Sequence, residues 1–358
     1  MLVDYSLAIK AGDRVVIQGQ PVAAPLIEAL YARVLQAGGH PLLQVSLPGV
    51  EEIFYRYASA EQLAYVPPPV ELIMATYDAR ISIISDSNTR ALSRVDPAKI
   101  VRQHQARAGL MRTFMQRSAA GELRWVVAPF PTNAYAQDAE MGLAEYEDFV
   151  YRACLSDEAD PVAYWRRFAA RQKKIVAWLK DKKRVHITAP GTDLSLSIAG
   201  RTFINSAGNF NMPDGEIYTG PVEDSVEGEV YFSYPAIYEG HEVTGVRLSF
   251  HEGRVISARA EKNEDILCQT LATDDGAARV GEFAIGTNEM IDQFTREILF
   301  DEKIGGSFHL ALGAGYPETG SRNESAIHWD IICDLRRGGT IQVDDTLLYR
   351  DGRFVIDF

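Results

Sequence analysis

Arg14-Val-Val-Ile-Gln-Gly-Gln-Pro-Val-Ala-Ala-Pro-Leu-Ile-Glu-Ala-Leu-Tyr-Ala-Arg-Val-Leu-Gln-Ala-Gly-Gly-His-Pro-Leu-Leu-Gln-Val45 is the stretch whose reading decides the fold of this chain. Arg14 to Gln18 is a short apolar run of strand type. Pro21 stands where a helix begins, and Leu26, Ile27, Leu30 and Val34 follow at helical spacing. Gly38-Gly39 closes the helix, and Pro41 to Val45 supplies a second apolar strand. Strand, helix and strand in this order make a βαβ unit.

Outward from it the same grammar continues. A third strand is expected at Ala79 to Ser85, a long helix opening on Asp96-Pro97 as cap and first position, and a fourth strand at Arg124 to Ala128. Strands alternating with helices predict an open, mostly parallel sheet. The first strand-to-helix turn, Gln18-Gly-Gln-Pro-Val-Ala, holds one glycine. It is neither the dinucleotide fingerprint nor a phosphate-binding loop, so no nucleotide site is expected there.

A helix from about Pro161 to Lys182 ends in Lys180-Asp-Lys-Lys-Arg184, a cationic run suited to the negative end of a helix dipole and otherwise a solvated terminus. Beyond it the pattern changes to short β-type runs at Val185 to Ala189, Leu194 to Ile198, Val230 to Tyr234, Val243 to Phe250 and Val255 to Ala260. One helix is predicted near Asn288 to Phe300, and Asp351-Gly352 signals a closing hairpin. The expected fold class is α/β: an N-terminal α/β domain over residues 1–184, then a smaller β-rich α+β domain over 185–358.

The 358 residues suffice for two cores, and a net charge of −13 argues against nucleic acid or an anionic membrane surface as partner. Cys154, Cys268 and Cys333 are far apart in sequence, form no Cys-x-x-Cys pair and read as buried, reduced thiols. The N-terminus lacks a basic segment followed by an apolar one, and no apolar run reaches membrane-spanning length, so a cytoplasmic location is expected.

The chemistry-bearing residues gather late in the chain. In Ile327-His-Trp-Asp330-Ile-Ile, His328 and Asp330 stand two apart on a predicted strand and therefore share a face. Taken alone, the pair is more simply a neutral core histidine bonded to an aspartate. His309 lies between glycine-bearing apolar segments, and Tyr316, in Ala314-Gly-Tyr-Pro-Glu, is placed on a tight loop with its hydroxyl free to face a site. Upstream, Glu216 follows a Pro-Asp-Gly turn and Glu282 interrupts an apolar strand-like run, where an unpaired carboxylate is costly. Two glutamates, one aspartate and two histidines form a mixed oxygen and nitrogen set of the kind that holds two divalent cations. No His-Glu-x-x-His is present, so a single helix-borne zinc is not expected. Two other readings of these residues remain open. Asp214, Glu216, Glu223, Asp224, Glu227 and Glu229 could hold calcium in a non-catalytic module. A different dinuclear hydrolase, an amidase or phosphoesterase, could draw on Arg322, Arg336 and Arg337.

Several segments together resemble a known family. They are Asp4-Tyr-Ser-Leu-Ala-Ile-Lys-Ala-Gly-Asp13, Asn211-Met-Pro-Asp-Gly-Glu216, Gly281-Glu282, Ile285-Gly-Thr-Asn288, Asp301-Glu-Lys-Ile-Gly-Gly306, His309-Leu-Ala-Leu-Gly, Gly315-Tyr316-Pro and His328-Trp-Asp330. In order and spacing they are similar to the aminopeptidase T and aminopeptidase S group of metal-dependent exopeptidases, the PepS-type enzymes. The resemblance implies that Glu216, Glu282, His309, His328 and Asp330 hold two divalent ions per subunit (Zn, Co, Mn or Mg) and that Tyr316 is catalytic. Glu282 or Glu318 would then take the proton of the attacking water. It also implies short peptides with a free N-terminus as substrates, and a homodimer enclosing a chamber to which the N-terminal domain contributes.

Overall fold

The computed structural model describes residues 1–238 and 240–358. By internal contacts it divides into two units, Met1–Asp157 with Gly208–Pro213, and Glu158–Ala207 with Asp214–Phe358.

In the first unit, β1 (Arg14–Gly19), β2 (His40–Val45), β3 (Ala79–Ile84) and β4 (Arg124–Pro129) form one sheet in the order β2-β1-β3-β4. Every pairing is parallel, as the βαβ reading predicts. One face carries Val15, Ile17, Ala79, Ile81, Val126 and Ala128, all buried, and the predicted helix, Ala24–Gln36, turns Ile27, Leu30 and Val34 inward. The long helix runs over Pro97–Ala119 and Asp96 caps it, its side chain accepting from the Ala98 amide at 2.9 Å. The short helices Val50–Tyr57, Ala60–Leu63 and Pro68–Thr76 lie where no sequence expectation was made. With so few turns they leave little periodicity to detect.

The second unit is built on antiparallel strands: β5 (Arg184–Ala189), β6 (Thr192–Ser197), β7 (Ile204–Ser206), β8 (Glu216–Thr219), β9 (Glu227–Tyr231), β10 (Ala236–Tyr238), β11 (His241–Val243), β12 (Arg247–His251), β13 (Arg254–Arg259), β14 (Val280–Gly286), β15 (Ser307–Gly313), β16 (His328–Asp334), β17 (Thr340–Val343), β18 (Thr346–Arg350) and β19 (Arg353–Phe354). One sheet runs β13-β12-β9-β6-β5-β17-β18-β19 and another β16-β15-β14-β8-β7, with β10 and β11 a separate pair. Val185, Ile187, Leu194, Val230 and Ile341 of the first sheet share one core with Ile217, Phe283, Phe308, Leu310 and Ile331 of the second. This is sheet-on-sheet packing around an apolar core. Asp351 and Gly352, both at positive φ (48° and 79°), make the closing hairpin turn as expected.

Four expectations are corrected. The helix Pro161–Leu179 goes with the second unit rather than the first, because Ile175 and Leu179 enter that core and Gln172 is bonded into its strands. With that helix included, the second unit is the larger of the two, not the smaller. Over 288–300 there is no long helix, only Ile298–Asp301. Side chains take the backbone bonds there: Asn288 accepts from the Met290 amide at 3.0 Å and Asp301 from the Thr295 amide at 2.7 Å, with Arg296 at φ 62°. Among the cysteines, only Cys333 is buried; Cys154 is half-buried and Cys268 exposed, and all three are free thiols. No helix among the described residues is long and apolar enough to cross a membrane.

The shared core makes a direct expectation. Ile331→Ala, at a side chain with no exposure, should cost roughly 2–5 kcal/mol in urea unfolding, as deletion of a well-packed aliphatic group does. A loss below about 1 kcal/mol would mean that the two sheets are not held by that face.

Candidate metal centre

Side chains alternate across a strand, so each strand of the five-stranded sheet offers one set to the core and one to the opposite face. Ile217, Phe283, Ile285, Phe308, Leu310, Leu312, Trp329 and Ile331 point into the core. The register pairs Glu216 with Gly286, Tyr218 with Ala284, Ala284 with His309, and both Glu282 and Asp330 with Ala311. His328 stands opposite Gly313. All five expected donors therefore lie on one face, and alanine or glycine at the intervening positions leaves room among them.

The local chain explains how Glu216 arrives. Gly215 has φ +129°, and a Cβ there would lie 2.8 Å from the Asn288 Cβ, so the turn before Glu216 needs glycine. The Asn288 side-chain Nδ2 donates to the Asp214 carbonyl at 2.8 Å, and Ser206 Oγ to the Asp214 carboxylate at 3.0 Å. Gln172 Nε2 donates to the Glu216 carbonyl at 3.2 Å and to the Ser206 carbonyl at 2.9 Å, fastening the strand to the helix behind it.

His309 Nε2 lies 3.5 Å from Glu216 Oε2, 3.5 Å from Glu282 Oε1 and 3.9 Å from Asp330 Oδ1. His328 Nε2 lies 3.4 Å from Glu282 Oε2 and 3.5 Å from Asp330 Oδ1. These separations are long for hydrogen bonds but match the edge of a tetrahedron of ligands about 2.1 Å from a cation, which is about 3.4 Å. Two trios have donor atoms within 4.8 Å of one another: Glu216, Glu282 and His309, and Glu282, His328 and Asp330. Glu216 Oε2 and Asp330 Oδ1 are buried with no hydrogen-bond partner. Orphaned carboxylate oxygens aimed at imidazole nitrogens are what a cation site presents when its donors are considered alone, so the residues fit a metal. The Nδ1–H of His328 donates to the Ala314 carbonyl at 2.8 Å, which leaves Nε2 as the lone-pair nitrogen facing the cluster.

Electrostatics follow the geometry. Burial alone would lower the His309 pKa, but the adjacent Glu282 carboxylate and the charges of Glu216 and Asp330 raise it to about 9. Burial likewise opposes ionisation of Asp330, yet His328 and His309 hold it at about 2. Glu216 is pushed well up by burial, only partly offset by Lys303.

Three participants escaped the sequence reading. Lys303 is fully buried and contacts Glu302 and, at 3.9 Å, Glu216 Oε1, so one ammonium joins a cluster residue to a further carboxylate. Tyr218 lies two residues after Glu216 on β8, and its ring meets that of Tyr316 at 5.4 Å between centroids. The alternation rule that paired His328 with Asp330 would have found it. Glu302 and Lys303 carried no local signal, because they reach the site from a turn. Tyr316 itself packs 5.2 Å from the His328 ring. Burial and the nearby Glu282 and Asp330 charges push its hydroxyl pKa far up, so it stays protonated.

Among the described residues the other readings find no group of donors. Glu223 is paired with Arg201 at 2.6 Å and Glu227 with His251 at 3.2 Å, so the acidic segment does not converge. Arg336 is bonded to Asp334 at 2.9 Å, and the cation that borders the donors is Lys303, already held by two carboxylates.

The sequence pattern of the thermophilic metalloprotease (M29) family matches residues 1–354. The chain belongs to that family. It is 29% identical over 305 residues to aminopeptidase T of Thermus thermophilus, covering 76% of this chain and 73% of that one. To aminopeptidase 2 of Geobacillus stearothermophilus it is 27% identical over 376 residues, covering 98% and 89%. The solved structure of wild-type AmpT from Thermus thermophilus superposes with a TM-score of 0.87 at 25% identity, over 99% of this chain and 96% of that one. The protein is thus a metal-dependent aminopeptidase with a mixed α/β fold, and the calcium-module and phosphoesterase readings are not favoured.

Two outcomes are expected of the family member's site. Lys303→Met should destabilise the fold by roughly 3–5 kcal/mol in urea unfolding, since it strands two buried carboxylates; an unchanged midpoint would contradict the pairing. In metal-free protein, the His309 pKa lies above its unfolded value of about 6.5. Its contribution to stability is fully present below that value and is lost as pH rises through about 9. The same proton must leave before Nε2 takes a cation, so cation uptake at pH 7 should release protons, measured by calorimetry in buffers of different ionisation enthalpy. Uptake without proton release would contradict it.

Proposed function

We propose that this metalloaminopeptidase removes N-terminal residues from short peptides with two divalent cations sharing Glu282. The observation that carries this is the pair of overlapping donor trios, Glu216-Glu282-His309 and Glu282-His328-Asp330. In this reading Glu216, Glu282, His309, His328 and Asp330 would hold the cations, which would be zinc, cobalt, manganese or magnesium. When bound, they supply Lewis acidity and a water acidified towards hydroxide near neutral pH.

The chain's own groups do the rest. Tyr316, kept protonated, donates a hydrogen bond to the oxygen on which negative charge develops, a contact that strengthens in the transition state. Glu318 is exposed and the Glu282 oxygens both face imidazoles. Glu302, with a side chain 16% exposed and held by Lys303, is assigned the proton of the attacking water. The surplus of carboxylate around the site suits a substrate that presents a free ammonium group. The active protein is taken to be a cytoplasmic homodimer. Family likeness supports this, as do exposed apolar side chains such as Leu47, Ile53 and Tyr57 in the first unit.

Metal-reconstituted protein should hydrolyse leucyl-p-nitroanilide, lose that activity on chelation, and leave the N-acetylated substrate intact. Equal turnover of the blocked substrate would overturn the exopeptidase reading. Tyr316→Phe should retain metal while kcat falls roughly 100- to 1,000-fold; a change confined to KM would remove Tyr316 from the transition state.

A further inference from the structure

The parallel sheet of the first unit has one face of the wrong kind. Parallel sheets are covered on both sides and read as apolar on both. Here the face opposite Ile17 and Ile81 carries Gln44, Gln18, Ser82 and Arg80, with Gln18 in register with both Gln44 and Ser82. Beneath the helices Pro68–Thr76 and Pro97–Ala119 lies a cavity of about 960 Å³, and these four polar residues line it together with Met74, Leu110 and Phe114. The first of those helices buries none of its side chains completely.

The strand amides and hydroxyl bond to one another, Gln18 Nε2 donating to Gln44 Oε1 and Ser82 Oγ to Gln18 Oε1 at 3.4 Å, which leaves Arg80 and Gln20 as the groups with capacity to spare. Arg80 donates from Nε to Ser82 Oγ at 3.0 Å, and among the described residues no carboxylate lies within ion-pair distance of it. Burial accordingly lowers its pKa with nothing to offset the cost. Gln20 also lines the cavity; its Nε2 donates to Asp86 at 2.7 Å, while its Oε1 is buried without a donor. The cavity adjoins the carboxyl ends of the strands where chain order reverses, between β1 and β3, the place where open α/β sheets bind ligands.

We propose that this cavity is a second ligand site, distinct from the metal centre, for a small peptide-like carboxylate. The carboxylate pairs with the free guanidinium edge of Arg80, an amide N–H of the ligand donates to Gln20 Oε1, and an apolar side chain rests on Met74, Leu110 and Phe114. Glu51 and Asp86 on the lining offset Arg107, so Arg80 is left to balance a single negative charge, which disfavours a phosphate dianion relative to a monoanionic carboxylate.

The probe is N-acetyl-alanyl-leucine, which has no free amine, titrated by calorimetry into metal-loaded protein. Wild type and His309→Ala should bind it alike. Arg80→Met should weaken binding about 10- to 100-fold, the worth of one charge-assisted contact. That variant should melt no lower than wild type, because it removes an uncompensated guanidinium in favour of an apolar chain of similar length. On wild-type protein alone, the C-terminal amide of the same dipeptide and inorganic phosphate should both bind at least about 10-fold more weakly. Unchanged affinity in Arg80→Met, loss of binding in His309→Ala, or equal binding of the amide or of phosphate would each overturn the proposal.

Discussion

The constraint on which this structure depends is the confinement of three carboxylates and two imidazoles to one face of a five-stranded sheet, with nitrogen-to-oxygen distances of 3.4 to 3.9 Å. Like charges so close and so dry repel strongly, and each loses its hydration. Much around them answers that cost. Protons on the histidines and the Lys303 ammonium balance part of the charge, and divalent cations would balance the rest. The opposite face of the same strands is mostly apolar and packs against the eight-stranded sheet. Rigidity of the core is therefore what keeps mutually repelling donors in place.

How much of this was legible in the sequence depends on whether a signal was local. The βαβ opening was legible because Ile27, Leu30 and Val34 fall at helical spacing between two apolar runs. His328 and Asp330 were legible as a pair because strand alternation works over two residues. Glu282 was legible as an anomaly, a carboxylate within a strand that is buried throughout. By contrast, the approach of Lys303 to Glu216 joins positions 87 apart through a turn, and no periodicity announces it. The failed helix over 288–300 has the same origin. Asn288 and Asp301 look like ordinary polar residues of a helix, but their side chains capture the backbone amides a helix would use. The assignment of Pro161–Leu179 to the first unit failed because helix grammar says nothing about which sheet a helix covers.

The two units show different relations between composition and structure. In the second unit polar residues on the sheet converge on one another and on the cluster. In the first, Gln18, Gln44, Ser82 and Arg80 occupy a face where a parallel sheet would ordinarily place aliphatic groups. Departures from local consistency of this kind concentrate where a protein meets ligands.

The central claim is that the donors form two cation sites sharing Glu282. Anomalous diffraction from crystals of zinc-loaded protein, recorded on both sides of the zinc absorption edge, addresses it most directly. The account predicts two peaks per subunit, one among Glu216, Glu282 and His309 and the other among Glu282, His328 and Asp330. A single peak, or peaks away from Glu282, would contradict it.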